Sequence, residues 1–318
     1  MRPREVVSES PKDRTLQTKP KGLKTATPKA KHENGFSMWV IGRKRNPEIL
    51  SILRDSRDEH PWAAYLFHQS SPTLISPNVP NSKCRLEPVP FDDCIIDRFF
   101  YVYRDSSQEH LAGGGITTRI CWDGRPETLP PGWQGAVKSS FLDSRASDRP
   151  VNTLVPLLAF TASRFRRQNA SSAVLNAMCR SGQEQGFRYA IIPALPPLQF
   201  TREYAGIAME ELAKLRRQDG QPLDHWIRVH LKKGAEIIGY CEHSHRFALS
   251  LNDFRANISS TPILQSGYHV VESDRDVVLR LSRETAWQRI YADLEREIVS
   301  FDWGCVWVRY DLEKLSFD

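Results

Sequence analysis

The six cysteines of this 318-residue chain, at 84, 94, 121, 179, 241 and 305, include no CxxC pair. They are too sparse for a disulfide scaffold, so a reduced setting, cytoplasmic with a nuclear location left open, is expected. No apolar run is long enough to span a bilayer, which excludes a helical membrane protein. The first 32 residues nearly lack apolar side chains and cannot bury enough surface to offset their ordering entropy. Residues 1–34 are therefore expected to be a disordered basic tail, with residues 35–318 forming a single domain with a C-terminal extension. The tail lacks the apolar stretch of a secretory signal, and its acids argue against a transit peptide. The chain also lacks net charge outside this tail. Nine Lys/Arg against three Asp/Glu in residues 1–32 account for the whole +6, and the remainder holds 35 of each sign. Any nucleic-acid contact would have to run through the tail, since the body offers no basic excess.

What is present alternates. "FSMWVI" (36–41), "DRFFYVYRD" (97–105), "GGGITTRICWDG" (113–124), "TLVPLLAF" (153–160), "RYAIIPAL" (188–195), "GYHVVES" and "CVWVRYDL" read as strands. In the last of these, Val306, Val308 and Tyr310 alternate with Trp307 and Arg309. "NPEILSILRDSRDE" (46–59), residues 171–185, "TREYAGIAMEELAKLRRQ" and "SRETAWQRIYADLEREI" read as helices. Leu175, Met178 and Cys179 face inward on the second. Trp287, Ile290, Tyr291, Leu294 and Ile298 form the stripe of the last. Residues 69–92 read as a loop, and "RPETLPPGWQGAV" as a Pro/Gly-rich connection. Strands alternating with helices predict an α/β or α+β sheet carrying helices on its faces.

Two stretches carry chemistry. In "TLVPLLAF…FRRQNASSAVLNAM" a strand leads through a basic turn into a helix, an arrangement able to hold a diphosphate, although the usual glycines are missing. "DGQPLDHWIRVHLKKG" predicts a helix of about nine residues from His225, N-capped by Asp224 and closed by Gly234 in the left-handed position. Its buried face is expected to carry Trp226, Val229 and His230. "CEHSH" resembles a metal motif, but no second ligand pair accompanies it. His243 and His245, on one strand face, are expected to be surface or loop histidines, and no metal is expected.

Taken in order, these residues resemble the GNAT (GCN5-related N-acetyltransferase) superfamily, in a branch with a long insertion before the last core helix. The resemblance rests on Trp122-Asp123-Gly124, Leu129-Pro130-Pro131-Gly132-Trp133, Ala177-Met178, Asp219 through His230, Ser266-Gly267-Tyr268 and Trp307-Val308-Arg309. It covers roughly residues 97–310. It implies an acyl-CoA N-acyltransferase fold: a mixed, mostly antiparallel sheet flanked by helices, splayed between strands 153–161 and 188–194. The co-substrate would be acetyl-CoA or another acyl-CoA. Its pantetheine would lie along Leu158, Ala159 and Phe160. Its diphosphate would lie on the loop of Arg164, Arg166, Arg167, Gln168, Asn169, Ala170 and Ser171. Asn169 stands where the family has glycine and is the best non-glycine residue for a left-handed turn, while Ser171 is small enough to cap the helix. Where the branch carries Pro-x-Arg-Pro-x-x-Lys, this chain has Pro193-Ala194-Leu195-Pro196-Pro197-Leu198-Gln199, without either basic residue.

The resemblance also implies a general acid four residues before a glycine, and His230 stands there before Gly234. Tyr204 is the second candidate. Asp219, Asp224 or water could serve as base, although Asp224 reads better as a helix cap and Asp219 as a turn residue, and Arg228 is expected to brace the helix through a carboxylate. Two functions stay open: an N-acyltransferase acting on a small-molecule amine or a peptide, and a non-catalytic GNAT-fold binding or regulatory protein. Acyl length and oligomeric state are left open.

Overall fold

The computed structural model describes residues 30–31, 36–41, 97–104, 109–146, 150–165, 167–273 and 287–316. Its strands are β1 (Ala30–Lys31), β2 (Phe36–Ile41), β3 (Asp97–Arg104), β4 (Glu109–Ile120), β5 (Thr153–Thr161), β6 (Tyr189–Ala194), β7 (Glu236–Ser250), β8 (Gly267–Glu272), β9 (Trp287–Asp293) and β10 (Ile298–Asp311). Its helices are α1 (Gly132–Asp143), α2 (Ala170–Glu184), α3 (Met209–Lys214), α4 (His225–Lys232) and α5 (Leu251–Asn257). β1 falls within the expected tail. The rest of that tail, the expected helix at 46–59 and the loop at 69–92 lie outside the described residues.

The strands form one sheet in the order β1-β2-β3-β4-β5-β6-β10-β9-β8, with β7 on the other edge of β10. Only β5 and β6 pair in parallel, and only at Thr153↔Tyr189 and Leu154↔Ala190; every other pairing is antiparallel. β10 organises the sheet. Its second half pairs with β6 and its first half with β9 along one edge, while β7 runs along the whole of the other. Side chains alternate across it as a strand requires. Val306, Val308 and Tyr310 pack with Leu175, Met209, Leu212 and Ile227 from α2, α3 and α4. Cys305 and Trp307 pack on the opposite face with Trp133, Ala136 and Val137 from α1. A third cluster, with Phe254, Ile290, Phe301 and Trp303, lies under α5. Each wholly buried Phe, Leu or Ile, such as Phe99, Phe254 and Leu154, contributes about 1.5–3 kcal/mol by leaving water.

The structure corrects four sequence expectations. Of the helix expected over 282–298, the described part is not helical: residues 287–293 form β9. There Gln288, Ile290 and Ala292 are buried in strict alternation, and pairing on both edges decides between two readings of one aromatic-rich pattern. The Pro/Gly-rich connection conceals α1. Its prolines stand before the first helical residue, where a missing N–H is harmless. The helix expected across 201–218 shrinks to the six residues of α3, preceded by turns. Gly113, Gly114 and Gly115 lie inside β4 rather than at its start. A Cβ on Gly115 would stand 1.8 Å from Met178 Cε and 2.5 Å from the Leu158 carbonyl oxygen, so glycine lets α2 lie directly on the strand.

Candidate functional site

Beyond Leu154 the edge of β5 facing β6 has no strand partner among the described residues. The two strands diverge there, and burial along β5 changes accordingly. Residues 153–157 are buried, whereas Leu158, Ala159 and Thr161 become half-buried. Register with β4 slips between Ile116 and Thr117, which places Leu157 at a bulge. β5 then runs into a single turn of 3-10 helix at Ser163–Phe165, and from there into α2.

The turn adopts the conformation that glycine would ordinarily supply. Arg167 has φ 69° and Asn169 φ 56°, so the chain enters α2 through two left-handed residues. Asn169, not Ser171, holds the N-cap position, and its side chain makes no capping bond; Ser171 lies inside the first turn. α2 opens at Ala170, and the first amides of a helix have no intrahelical acceptor. Arg164, Arg167, Gln168 and Asn169 are exposed around it. Arg166 lies outside the described residues. At the end of β5, Thr161 Oγ1 is buried without a hydrogen-bond partner. An anion or a polar ligand arm would complete both groups, so this end of the split fits a diphosphate.

The helix α4 forms largely as its sequence dictates. The Asp224 carboxylate accepts the Ile227 N–H at 3.0 Å, and Gly234 has φ 83°. Asp224 also accepts the Leu198 N–H at 3.1 Å, which pins the segment after β6 to the helix start. Burial pushes the Asp224 carboxyl up, against the pull of these amides, and with both oxygens occupied it is a structural cap. Asp219 closes its exposed turn by accepting the Gln221 N–H. The buried face of α4 is Ile227 and His230; Trp226 and Val229 are only half-buried. Arg228 braces the helix through the Pro222 and Leu223 carbonyls, not through a carboxylate.

His230 is 5% exposed, and its Nδ1 lies 2.8 Å from Tyr310 Oη in a hydrogen bond. Burial, aided by nearby Lys233, lowers its pKa to about 4, so the ring is neutral at neutral pH. It therefore holds no labile proton to give in the resting state, which weighs against a simple acid role. Lys233 Nζ donates to Asn176 Oδ1 at 3.0 Å and ties α4 to α2. Tyr204 is half-buried beside the same core, and neighbouring Glu203 raises its pKa; no hydrogen bond or ring contact joins it to His230.

Sequence reasoning assigned no chemistry to Trp133, yet the structure places it against the split. Its Nε1–H donates to the Leu157 carbonyl oxygen at 2.8 Å, at the bulge of β5. Its backbone N–H donates to Ser244 Oγ at 2.9 Å. Gly132 makes this approach possible, since a Cβ there would lie 2.2 Å from Ser244 Cα. His245 stacks on the Trp133 ring with centroids 5.1 Å apart, and it is buried rather than on a surface or loop. Burial lowers its pKa to about 3. His243, with an exposed side chain, lies 3.3 Å from Asp302, so the register slip in β7 separates the two histidines. Among the described residues no group of three or more His, Cys, Asp or Glu could hold a metal ion, and no helix is long and apolar enough to cross a membrane.

A small pocket with a cavity volume of about 10 Å³, room for about one water, opens beside β10 where β6 has ended. Gln199, Phe200, Met209, Glu242, Asp302 and Trp303 line it. Gln199 replaces the missing strand there: its amide accepts the Gly304 N–H at 3.0 Å and donates to the Gly304 carbonyl at 3.2 Å.

No family model matches the chain, and no curated protein matches it in sequence. Among solved structures it is similar to the loading GNATL domain of CurA from Lyngbya majuscula, with 12% identity and a TM-score of 0.37 over 68% of this chain and 76% of that one. It is also similar to the GphF GNAT-like decarboxylase, solved in complex with isobutyryl-CoA, with 12% identity and a TM-score of 0.40 over 86% of this chain and 98% of that one. The chain's own topology is a mixed, mostly antiparallel sheet with flanking helices, parted after two parallel residue pairs and leading into α2, the architecture that the resemblance to the GNAT superfamily implies.

Proposed function

We propose that this protein is an N-acyltransferase that moves an acyl group, with acetyl as the first candidate, from CoA to an amine. The observation that carries the proposal is the parting of β5 from β6 immediately before a left-handed turn that opens α2. Arg164, Arg167, Gln168 and the first amides of α2 would hold the diphosphate, and the β5 edge at Leu158, Ala159 and Phe160 would hold the pantetheine. CoA supplies a thioester whose thiol is a good leaving group. The acceptor amine would approach the thioester along the split. His230, held neutral, would take a proton from the attacking nitrogen and return it to the departing thiolate, with Tyr310 steadying the ring.

A specific observation favours a second reading, a non-catalytic GNAT-fold binding protein. The Leu157 carbonyl, on the edge that would receive pantetheine, already accepts from Trp133, and His230 is closed off against Tyr310. Calorimetric titration with acetyl-CoA and with free CoA separates the readings. Micromolar binding that weakens about tenfold in Arg167→Ala supports the diphosphate site. Thiol release with an amine panel then supports the transferase, and binding without release supports the second reading. No binding to folded protein at millimolar CoA would refute the transferase and leave the second reading. The basic tail as a nucleic-acid arm is a separate proposal. Deleting residues 1–32 should remove salt-dependent DNA affinity, and unchanged affinity would end it.

A further inference from the structure

Cys241 and Cys305 stand directly opposite one another on antiparallel β7 and β10. Directly opposed residues on such strands have Cα atoms about 4.5–5.5 Å apart, inside the range a disulfide needs. Both side chains lie on one face of the sheet, Cys305 in the core cluster and Cys241 packed against it. The ladder is loosened at the pair. Between Cys241↔Cys305 and His245↔Trp303, three residues of β7 face the single Gly304 of β10. Such a bulge leaves the backbone room to adjust without breaking the flanking pairs.

The two thiols differ as an attacking and a resolving cysteine should. Cys241 is half-buried and within reach of solvent, whereas Cys305 is fully buried. The neighbouring Cys305 thiol lowers the Cys241 pKa to about 7, against burial and the neighbouring Glu242 charge. Burial and the neighbouring Cys241 raise Cys305, which stays protonated until its partner reacts. Cys121 and Cys179 have no cysteine facing them in the strand registers, and Cys84 and Cys94 lie outside the described residues.

We propose that Cys241 and Cys305 form an oxidisable dithiol site at which a peroxide converts the strand-paired thiols into a cross-strand disulfide. The Cys241 thiolate attacks the peroxide O–O bond, forming a sulfenic acid and, after protonation, water. The Cys305 sulfur then displaces the sulfenic hydroxyl, forming the S–S bond and releasing a second water. Two thiols lose two electrons and two protons, and one hydrogen peroxide becomes two waters.

The site is linked to the split. Ser244, in the bulge of β7 beside Cys241, accepts the Trp133 N–H, while the Trp133 indole holds the Leu157 carbonyl. Closing the disulfide draws on this bulge, so oxidation is felt through Ser244 and Trp133 at the bulge of β5. The dithiol chemistry stands independently of the acyl-CoA reading.

The test uses the full chain, reduced, treated with hydrogen peroxide, blocked with N-ethylmaleimide and digested without reductant. The expected result is a peptide pair joined through Cys241 and Cys305, lighter by two hydrogens and released by dithiothreitol. In Cys305→Ser, oxidation should stop at a Cys241 sulfenic acid that dimedone traps. Recovery of both residues as free thiols from oxidised wild-type protein would overturn the proposal. So would stable sulfenic acid on wild-type Cys241 without a cross-link. The wild-type map alone decides the matter if a variant fails to fold.

Discussion

Acidifying the folded protein from about pH 7.5 to about pH 5 should remove about 4 kcal/mol of stability through two buried histidines. Burial holds His230 at about 4 and His245 at about 3, against an ordinary value of 6.5. Both are bases with depressed folded values. Each therefore contributes fully above 6.5, where folded and unfolded chains are alike neutral, and its contribution falls as the pH drops towards the folded value. At about pH 5 the unfolded chain has taken up both protons and the folded chain neither. The loss is about 1.4 kcal/mol per pH unit over about 1.5 units, or about 2 kcal/mol for each ring. That is a large share of the roughly 5–15 kcal/mol that ordinary domains possess. Urea unfolding followed by tryptophan fluorescence measures it. His245→Phe isolates one ring. His245 Nδ1 has no hydrogen-bond partner, so removing it should leave neutral-pH stability nearly unchanged and spare about 2 kcal/mol at about pH 5. The raised Asp224 carboxyl favours the fold as pH falls, but it is common to both chains and drops out of the difference. Equal acid losses in wild type and His245→Phe would refute the reasoning.

Two further predictions concern backbone positions. Gly115→Ala should lower stability by about 1–3 kcal/mol, since the new methyl meets a backbone oxygen as well as Met178; an unchanged urea midpoint would contradict the close approach of α2. Asn169→Val should cost about 1–2 kcal/mol at its left-handed φ, whereas Asn169→Gly should be tolerated within a few tenths, and melting temperatures that rank the other way would show that the turn is not strained.

Where local chemistry decides a feature, it was legible in the residues. Asp224 and Gly234 bound α4 because a carboxylate and a bare Cα suit those two ends wherever the helix packs. Asn169 signalled the left-handed turn, and the alternation of Val306, Val308 and Tyr310 signalled the last strand. Strand β9 was not legible, because an aromatic-rich stretch satisfies both a helical and an alternating pattern until neighbouring strands supply edges to pair with. Helix α1 was hidden because its prolines look like a loop until one sees that they only precede it.

The candidate site divides in the same way. The sequence by itself determined the basic turn into α2, the cap of α4 and the position of His230 on its buried face, all set by spacing along one segment. Tertiary structure alone decided what those groups meet: Tyr310 beside His230, Trp133 on the Leu157 carbonyl, and Cys241 opposite Cys305. These partners lie between 24 and 80 residues apart, or on strands brought into register by a bulge. No local periodicity records such a distance. Only the packing of the sheet, which holds a neutral imidazole and a pair of thiols at chosen depths, sets their chemistry.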